Sequence, residues 1–509
     1  MDKNSYSIFS RFIMVSIGLL AVALPFLYRL TIGYSGNGTS ASASANATCE
    51  QLSSLLGAVI ILPSDAQQYT TLSDENWSQT AWKQPSCIAL PACTSDLQQL
   101  IKTLVAQNVP FAIRSGGHSP NPFDANIDTG VLIAMDNFNT VTYNTAQRLA
   151  SFAPGARWNT VYTALDPYNV TLVGGRVMDV GVGGLTLGSG LSYLSDLYGL
   201  VCDNVVNYEV VLADGSVVDA NSRNNADLFW ALKGGSNNFG ILTKITTPTY
   251  PISQVWGSVR IFTADQMPKV VQALYEYQTT PEKDLYANMV LNLAASNSSV
   301  ILTLVYLKPV DSPEAFAPFY GLTPVQQQTG LMTLHQLMAL FPLPALPRWT
   351  WYTNTFEPNS DLYAQISSLL TATTPEVATI SALQGGTLVG TAQPINANVA
   401  LAGEAGGGNT LNLQPINQTW FSLNAAWWNA DDDIIAYAAI KSLHAKIEAL
   451  AEHAAANLQY IFMNDANINQ SVISSYGDEN VQRLHAIQKV YDPQLVFQKL
   501  VTGGQKIPA

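Results

Sequence analysis

The residues best suited to chemistry cluster in Arg114-Ser115-Gly116-Gly117-His118-Ser119, within PFAIRSGGHSPN. A β-forming run, Phe111 to Ile113, stops there, and a histidine follows two glycines directly. Paired glycines let a backbone turn left-handed and bring its N–H groups against an anion. Ser115, Gly116, Gly117 and Ser119 therefore suit a diphosphate cradle. Arg114 would pair with the diphosphate or support the loop, and His118 would be presented to a bound cofactor. The plainer reading of His118 is an ordinary turn residue. A second glycine loop, GVGGLTLGSG, runs from Gly181 to Gly190 and offers Gly181, Gly183 and Gly184 to phosphate. A Rossmann dinucleotide loop is the rival reading. It fails because Thr186 stands where a third small residue is needed, and no acidic ribose ligand follows on the next strand. A third stretch, LFWALKGGSNNFGILT, places Gly234, Gly235 and Gly240 at close backbone approaches and offers main-chain contacts at Ile241.

In this order, the three segments resemble the flavin domain of the p-cresol methylhydroxylase/vanillyl-alcohol oxidase superfamily. The resemblance implies FAD linked through its 8α carbon to a ring nitrogen of His118, a bond that holds the cofactor and raises its redox potential. The C-terminal stretches YIFMNDAN, SSYG and VYDPQLVFQKLVTGG are similar to the closing motif of the berberine-bridge-enzyme-like branch, particularly the fungal FAD-linked oxidases of secondary metabolism. The resemblance covers residues 48–509 and places Asn464 among the cofactor-binding residues. Two departures matter. Val177 stands where bicovalent members carry a second flavin-linking cysteine, so attachment is expected through His118 alone; Cys202 is too far along to substitute. Asp465 follows Asn464 where many members have a tyrosine. A partly buried carboxylate can be tuned upward and act as a base, so Asp465 is a candidate. An Asx-turn is its alternative role. Tyr306, Tyr352 and Tyr460 are further candidates for the base. Val180 matches a small valine that leaves room for dioxygen in related oxidases, which favours an oxidase over a dehydrogenase.

Composition sets outer limits. A chain of 509 residues suggests two to three compact units. Charged residues make up 12%, and the net charge of −13 argues against nucleic acid, whose binding needs clustered Lys and Arg. The histidines are scattered and no CxxC or HExxH occurs, so no metal site is expected. Lys3 and Arg11 precede an apolar run, Phe12 to Tyr28, longer than a signal h-region of about 7–15 residues and at the lower limit of a spanning helix of about 17–25. It reads as a cleavable signal or an uncleaved membrane anchor, with a buried core helix as the plain alternative. Both leading readings place the catalytic part outside the cytosol, secreted or membrane-anchored. Sequons at Asn37, Asn46, Asn76, Asn169, Asn297, Asn417 and Asn469 agree with that. Ser35 to Ala47 reads as a flexible tether. In an oxidising compartment Cys49 and Cys87 could staple the N-terminal segment to the first strand, with Cys93 as the competing partner. Cys202 reads as a small buried hydrophobe.

The elements imply an α+β fold. Residues 1–47 form the leader and tether, and 48–82 an N-terminal segment. Residues 83–253 form a two-part FAD-binding domain, 254–457 an α+β substrate-binding cap, and 458–509 a tail returning to the flavin domain. Strands are expected at Cys87 to Leu90, Phe111 to Arg114 and Val131 to Ala134, with a helix capped by Thr94 or Ser95 running to Gln107. A hairpin turns at Asp214-Gly215. The cap mixes strands with the connection FPLPALPRW and the aromatic runs WTWYTNTF and WFSLNAAWW, whose rings line a pocket or form core. The resemblance implies hydride transfer from a substrate carbon to flavin N5, proton loss to a side chain, and reoxidation by dioxygen to give hydrogen peroxide. The substrate would be a hydrophobic natural-product intermediate undergoing alcohol oxidation, desaturation or oxidative cyclisation. An oligosaccharide oxidase and a catalytically silent flavin-fold protein are the alternatives.

Overall fold

The computed structural model describes residues 38–295, 299–340, 345–371 and 374–509. The apolar run Phe12 to Tyr28, the sequons at Asn37 and Asn297, and residues 341–344 of the Pro/Leu-rich connection lie outside them. No helix among the described residues is long and apolar enough to cross a membrane.

The first sheet joins β1 (Ile60–Ile61), β2 (Cys87–Ala89), β3 (Phe111–Arg114) and β4 (Val131–Ala134) in the order β1-β2-β4-β3. β2, β4 and β3 run parallel, and the N-terminal segment adds β1 antiparallel. Parallel strands need a crossover, and helix Thr94–Ala106 supplies the one from β2 to β3, burying Leu97, Leu100, Ile101 and Leu104 at helical spacing. Its N-cap is Cys93 rather than Thr94 or Ser95, because the Asp96 carboxylate accepts from the Cys93 and Ala92 amides. The N-terminal segment also corrects the tether. Gly38–Leu56 is an α-helix, since Ala45, Cys49 and Leu52 form one buried stripe against the first sheet's core. Cys49 is disulfide-bonded to Cys87, while Cys93 is free and exposed and Cys202 is free and buried.

The second sheet is antiparallel, in the order β5-β6-β9-β7-β8, from β5 (Val141–Asn144), β6 (Leu149–Phe152), β7 (Asn207–Val211), β8 (Val217–Ala220) and β9 (Ile241–Pro248). The hairpin β7–β8 turns at the expected Asp214-Gly215, with Gly215 at φ +78°.

The third sheet has seven antiparallel strands: β10 (Val255–Thr263), β11 (Ala287–Ala294), β12 (Ser299–Tyr306), β13 (Gln326–Met332), β14 (Arg348–Phe356), β15 (Thr387–Ile395) and β16 (Gln418–Trp427). Their order is β13-β10-β12-β11-β15-β16-β14. Side chains alternate faces along a strand, so this sheet has two distinct sides. Leu291, Leu293, Ala392, Phe421, Leu423 and Tyr352 meet the helices Met267–Thr279, Ser360–Thr371 and Asp433–His453 in one core. The opposite side carries Asn292, Thr391 and Ser422 in register across β11, β15 and β16, with Gln393, Asn424 and Trp351 on adjoining rows. That polar side fronts the flavin domain.

Candidate active site

The two glycine loops meet backbone to backbone. A Cβ placed on Gly116 would lie 2.4 Å from the Gly181 nitrogen, and one on Gly181 would lie 2.3 Å from the Gly116 nitrogen. Neither position admits a side chain, so both glycines serve the contact between the loops. Ser115 secures it: its hydroxyl donates to the Pro154 carbonyl and accepts from the Gly183 amide at 3.1 Å. Arg157, which sequence reasoning missed, clamps the same junction. It donates from one nitrogen to Gly116 O at 3.1 Å and Asp179 O at 2.5 Å. The isolated bridge between Arg157 and Gly181 was not legible in the sequence because the partners are distant along the chain. By contrast, a Cβ on Gly184 would meet nothing within 4 Å, leaving open space at that end of the second loop.

His118 follows Gly117, which takes the left-handed φ of +61° expected of a cradle glycine. The imidazole stacks on Trp77 at 4.2 Å between centroids and 8° between planes, with Trp351 6.4 Å away and itself 6.1 Å from Trp77. Burial, reinforced by the Arg157 charge, pushes its pKa down to about 3. The ring is therefore neutral at physiological pH, with a nitrogen lone pair available for bonding. Its Nε2 is buried and has no hydrogen-bond partner. Buried polar atoms are nearly always paired, so an orphaned imidazole nitrogen beside two glycine loops marks a place for a bound group. These residues fit a flavin dinucleotide.

The other candidate residues each have a defined place in the structure. Arg114 is fully buried beneath the loop, donating to Glu75 Oε2 at 2.6 Å and Leu72 O at 2.6 Å. It supports the loop from below, the second of the two roles expected of it. The Ser119 hydroxyl is committed to Asp124 at 2.6 Å. Asn464 braces the second loop: its Oδ1 accepts from the Gly190 amide at 3.0 Å and its Nδ2 donates to Leu185 O at 3.2 Å. Its side-chain amide thus ties the C-terminal segment to the second glycine loop. Gly240 lets β9 approach β7, since a Cβ there would lie 2.4 Å from Val210 Cγ1, and Ile241 pairs with Val211 in that ladder. Val180 is half-buried behind the second loop, its carbonyl accepting from the Trp158 amide at 3.1 Å.

Among the candidate bases, the tyrosines are displaced. Tyr352 faces the helical side of its sheet, opposite Trp351, and packs on His444 at 4.8 Å. Tyr460 lies in the core against Trp420 and Tyr476, and burial pushes its pKa up, away from a base. Tyr306 donates to Asp284 at 2.7 Å; burial and that bond push it up to about 12. Asp465 differs. It accepts from Gln393 Nε2 at 2.8 Å, on the flavin-facing side of the cap sheet. Burial raises its pKa, opposed by the Gln393 hydrogen bond and the charge of Arg176. Arg176 in turn donates to Gln393 Oε1 and lies over the Tyr193 ring, 5.7 Å from its centroid. Arg176 and Gln393 are site residues that the sequence reading missed. They come from a coil between glycine motifs and from mid-strand, with no local signature.

The aromatic runs divide by strand face. Trp351 is half-buried near His118, while Trp420, Phe421 and Trp427 are core. The sequon at Asn76 is corrected too, because Asn76 is buried, its Oδ1 accepting from Asn126 at 3.2 Å, and cannot carry a glycan in the folded chain.

The FAD binding domain family matches residues 85–221, which contain both glycine loops and His118. The chain is 34% identical over 449 residues to the bifunctional solanapyrone synthase of Alternaria solani, covering 88% of this chain and 86% of that protein. It is 36% identical over 444 residues to an FAD-dependent monooxygenase of Arthrobotrys oligospora, covering 86% and 85%. Its fold matches BBE-like 1 of Physcomitrella patens with a TM-score of 0.75 at 18% identity, covering 90% of this chain and 99% of that one. With the loops joined, the histidine nitrogen unpaired and these relatives spanning most of its length, the chain has a berberine-bridge-enzyme-like fold and belongs to the family of FAD-linked oxidoreductases that includes the solanapyrone synthase and the fungal FAD-dependent monooxygenases.

Proposed function

We propose that this protein oxidises a small organic substrate by removing a hydride from carbon while Asp465 takes up the accompanying proton. One observation carries the reading: an enclosed carboxylate, raised by burial, sits where the cap sheet meets the flavin domain and is held there by Gln393. A base tuned toward neutrality is what proton abstraction requires. FAD, when bound, supplies the two-electron acceptor and passes the electrons to dioxygen, giving hydrogen peroxide. His118 anchors it through a single covalent link, since Val177 offers no second nucleophile. The neutral imidazole and its unpaired nitrogen support that role.

The substrate is a largely apolar natural-product intermediate of fungal secondary metabolism, bound against the polar side of the cap sheet, which includes Trp351. The uncharged row Asn292, Thr391 and Ser422 suits hydroxyl or carbonyl oxygens rather than ions. The same row gives oligosaccharide oxidation its claim as a second reading. The protein works in the secretory pathway, anchored or secreted; the Cys49–Cys87 disulfide and the exposed sequons at Asn46, Asn169 and Asn469 support that placement.

The test is anaerobic reduction of the holoenzyme against a panel of polyketide alcohols and oligosaccharides, followed by reoxidation under ¹⁸O-labelled dioxygen. The proposal expects bleaching by a polyketide alcohol, label recovered in peroxide, and slow bleaching in Asp465→Asn with unchanged reoxidation. Label in the organic product would make the enzyme a monooxygenase. Wild-type reduction rates in Asp465→Asn would remove the carboxylate from the reaction. His118→Ala should lose acid-stable flavin absorbance while remaining folded; retention of that absorbance would refute the attachment.

A further inference from the structure

Arg176 reaches Asp465 through one neutral side chain. Its guanidinium donates to Gln393 Oε1, and Gln393 Nε2 donates to Asp465 Oδ2 at 2.8 Å. The chain of bonds has one allowed polarity. A guanidinium has donors and no acceptor, so the amide must turn its oxygen toward Arg176. That leaves only the NH₂ end for Asp465. A donor facing a carboxyl oxygen favours the ionised carboxylate over the acid.

Resting on the reading of Asp465 as the base, we propose that Arg176 is a positioning residue that keeps Asp465 ionised by fixing the orientation of the Gln393 amide. Without Arg176 the amide is free to flip, present its oxygen and accept a hydrogen bond from the protonated acid. The base would then begin the reaction with its proton already in place. The three partners come from separate stretches: Arg176 from the coil before the second glycine loop, Gln393 from β15, and Asp465 from the C-terminal segment. Two other titratable groups face this cluster. Tyr193 carries Arg176 over its ring, and Tyr460 lies on Asp465's own segment. Burial raises both phenols, so they stay neutral near pH 7. Arg176 is therefore the charge that Asp465 senses.

The test needs no substrate. In the flavin-loaded enzyme, the infrared carbonyl band of the protonated Asp465 carboxyl is identified by its loss in Asp465→Asn and titrated with pH. The expected midpoint rises by at least one pH unit in Arg176→Met, tenfold in proton affinity, and likewise in Gln393→Leu. Arg176→Lys, which still donates to the amide oxygen, restores it to within a few tenths of a unit. Flavin content checks that each variant folds. An Arg176→Met midpoint equal to wild type, or no Asp465 band in either protein at any pH, would overturn the proposal. Failure of the base reading is separately visible: Asp465→Asn would then reduce its flavin at the wild-type rate, whatever the infrared midpoints.

Discussion

Replacing Gly116 with alanine tests whether the two glycine loops form one object. The new Cβ would lie 2.4 Å from the Gly181 nitrogen and 2.5 Å from its Cα, both backbone atoms with no rotamer to escape through. Comfortable carbon contacts begin near about 3.5 Å, so the loops must part by roughly 1 Å. Overpacking of this kind costs about 1–3 kcal/mol. The larger consequence is positional. The loop that moves carries His118, and a misplacement of about 1 Å at a reacting group can slow a step by about 100-fold. Gly116→Ala is therefore expected to fold with reduced stability and to show a severe loss of acid-stable flavin. Gly184→Ala is the internal control, because its Cβ meets nothing within 4 Å and it lies in the short helix Val182–Leu187. A helical glycine changed to alanine gains roughly 0.5–1 kcal/mol, so this variant should be at least as stable as wild type. The assays are urea denaturation and flavin absorbance after acid precipitation. Wild-type values of both for Gly116→Ala would refute the loop-contact argument.

Two further perturbations probe how the parts are held together. Lys283 Nζ meets Asp196 Oδ2 at 2.7 Å, both buried, joining the cap to the second glycine region. Lys283→Met strands a buried carboxylate and should cost about 3–5 kcal/mol, much of it recovered in Lys283→Met/Asp196→Asn; equal stability of the single and double variants would contradict the pairing. Lys506 gives a pH signature: burial, opposed by Asp124 and Asp492, pushes its pKa down to about 7. The unfolded chain keeps that proton to about pH 10.4. Between these values the unfolded state binds more protons, so this group makes stability rise with pH by up to about 1.4 kcal/mol per unit; below pH 7 its contribution is level. Denaturation of wild type and Lys506→Met across pH 6 to 10 should diverge in slope above pH 7, and parallel curves would exclude the buried-charge account.

Much of the flavin domain was legible because its signals are local. The glycines after Ile113, the Asp214-Gly215 turn and the Leu97-Leu100-Leu104 stripe each act within a few residues. Helix Gly38–Leu56 was misread because Ser, Ala, Gly and Asn look like linker. Its stability comes from the stripe Ala45, Cys49 and Leu52 docking on a sheet whose strands come later in the chain. Site residues followed the same divide. His118 is singled out as a candidate by its immediate neighbours, whereas Arg157, Arg176 and Gln393 act on partners dozens to hundreds of residues away. Tyr352 was one of three tyrosine candidates for the base, but one position along β14 puts it on the opposite face from Trp351. A period-2 strand buried on both sides does not reveal which face meets the site.

The C-terminal segment decides when the site becomes complete. Asn121 in the histidine loop donates to Ala466 O at 3.1 Å, and its own Oδ1 accepts from the Ile468 amide at 3.1 Å. Asp124 accepts from the Gly504 amide, and Val501 bridges to Phe111 at the start of the strand that presents His118. Asn464 braces the second glycine loop. Trp351 donates to Ala466 O, and Asp465 meets Gln393. One stretch thus touches the histidine loop, the second glycine loop and the cap sheet. A chain ending before Leu458 contains every residue of the matched FAD binding domain. Yet it lacks the proposed base and the bonds that hold the two loops and the sheet in one arrangement. The arrangement of the two loops and of the proposed base therefore depends on the C-terminal segment.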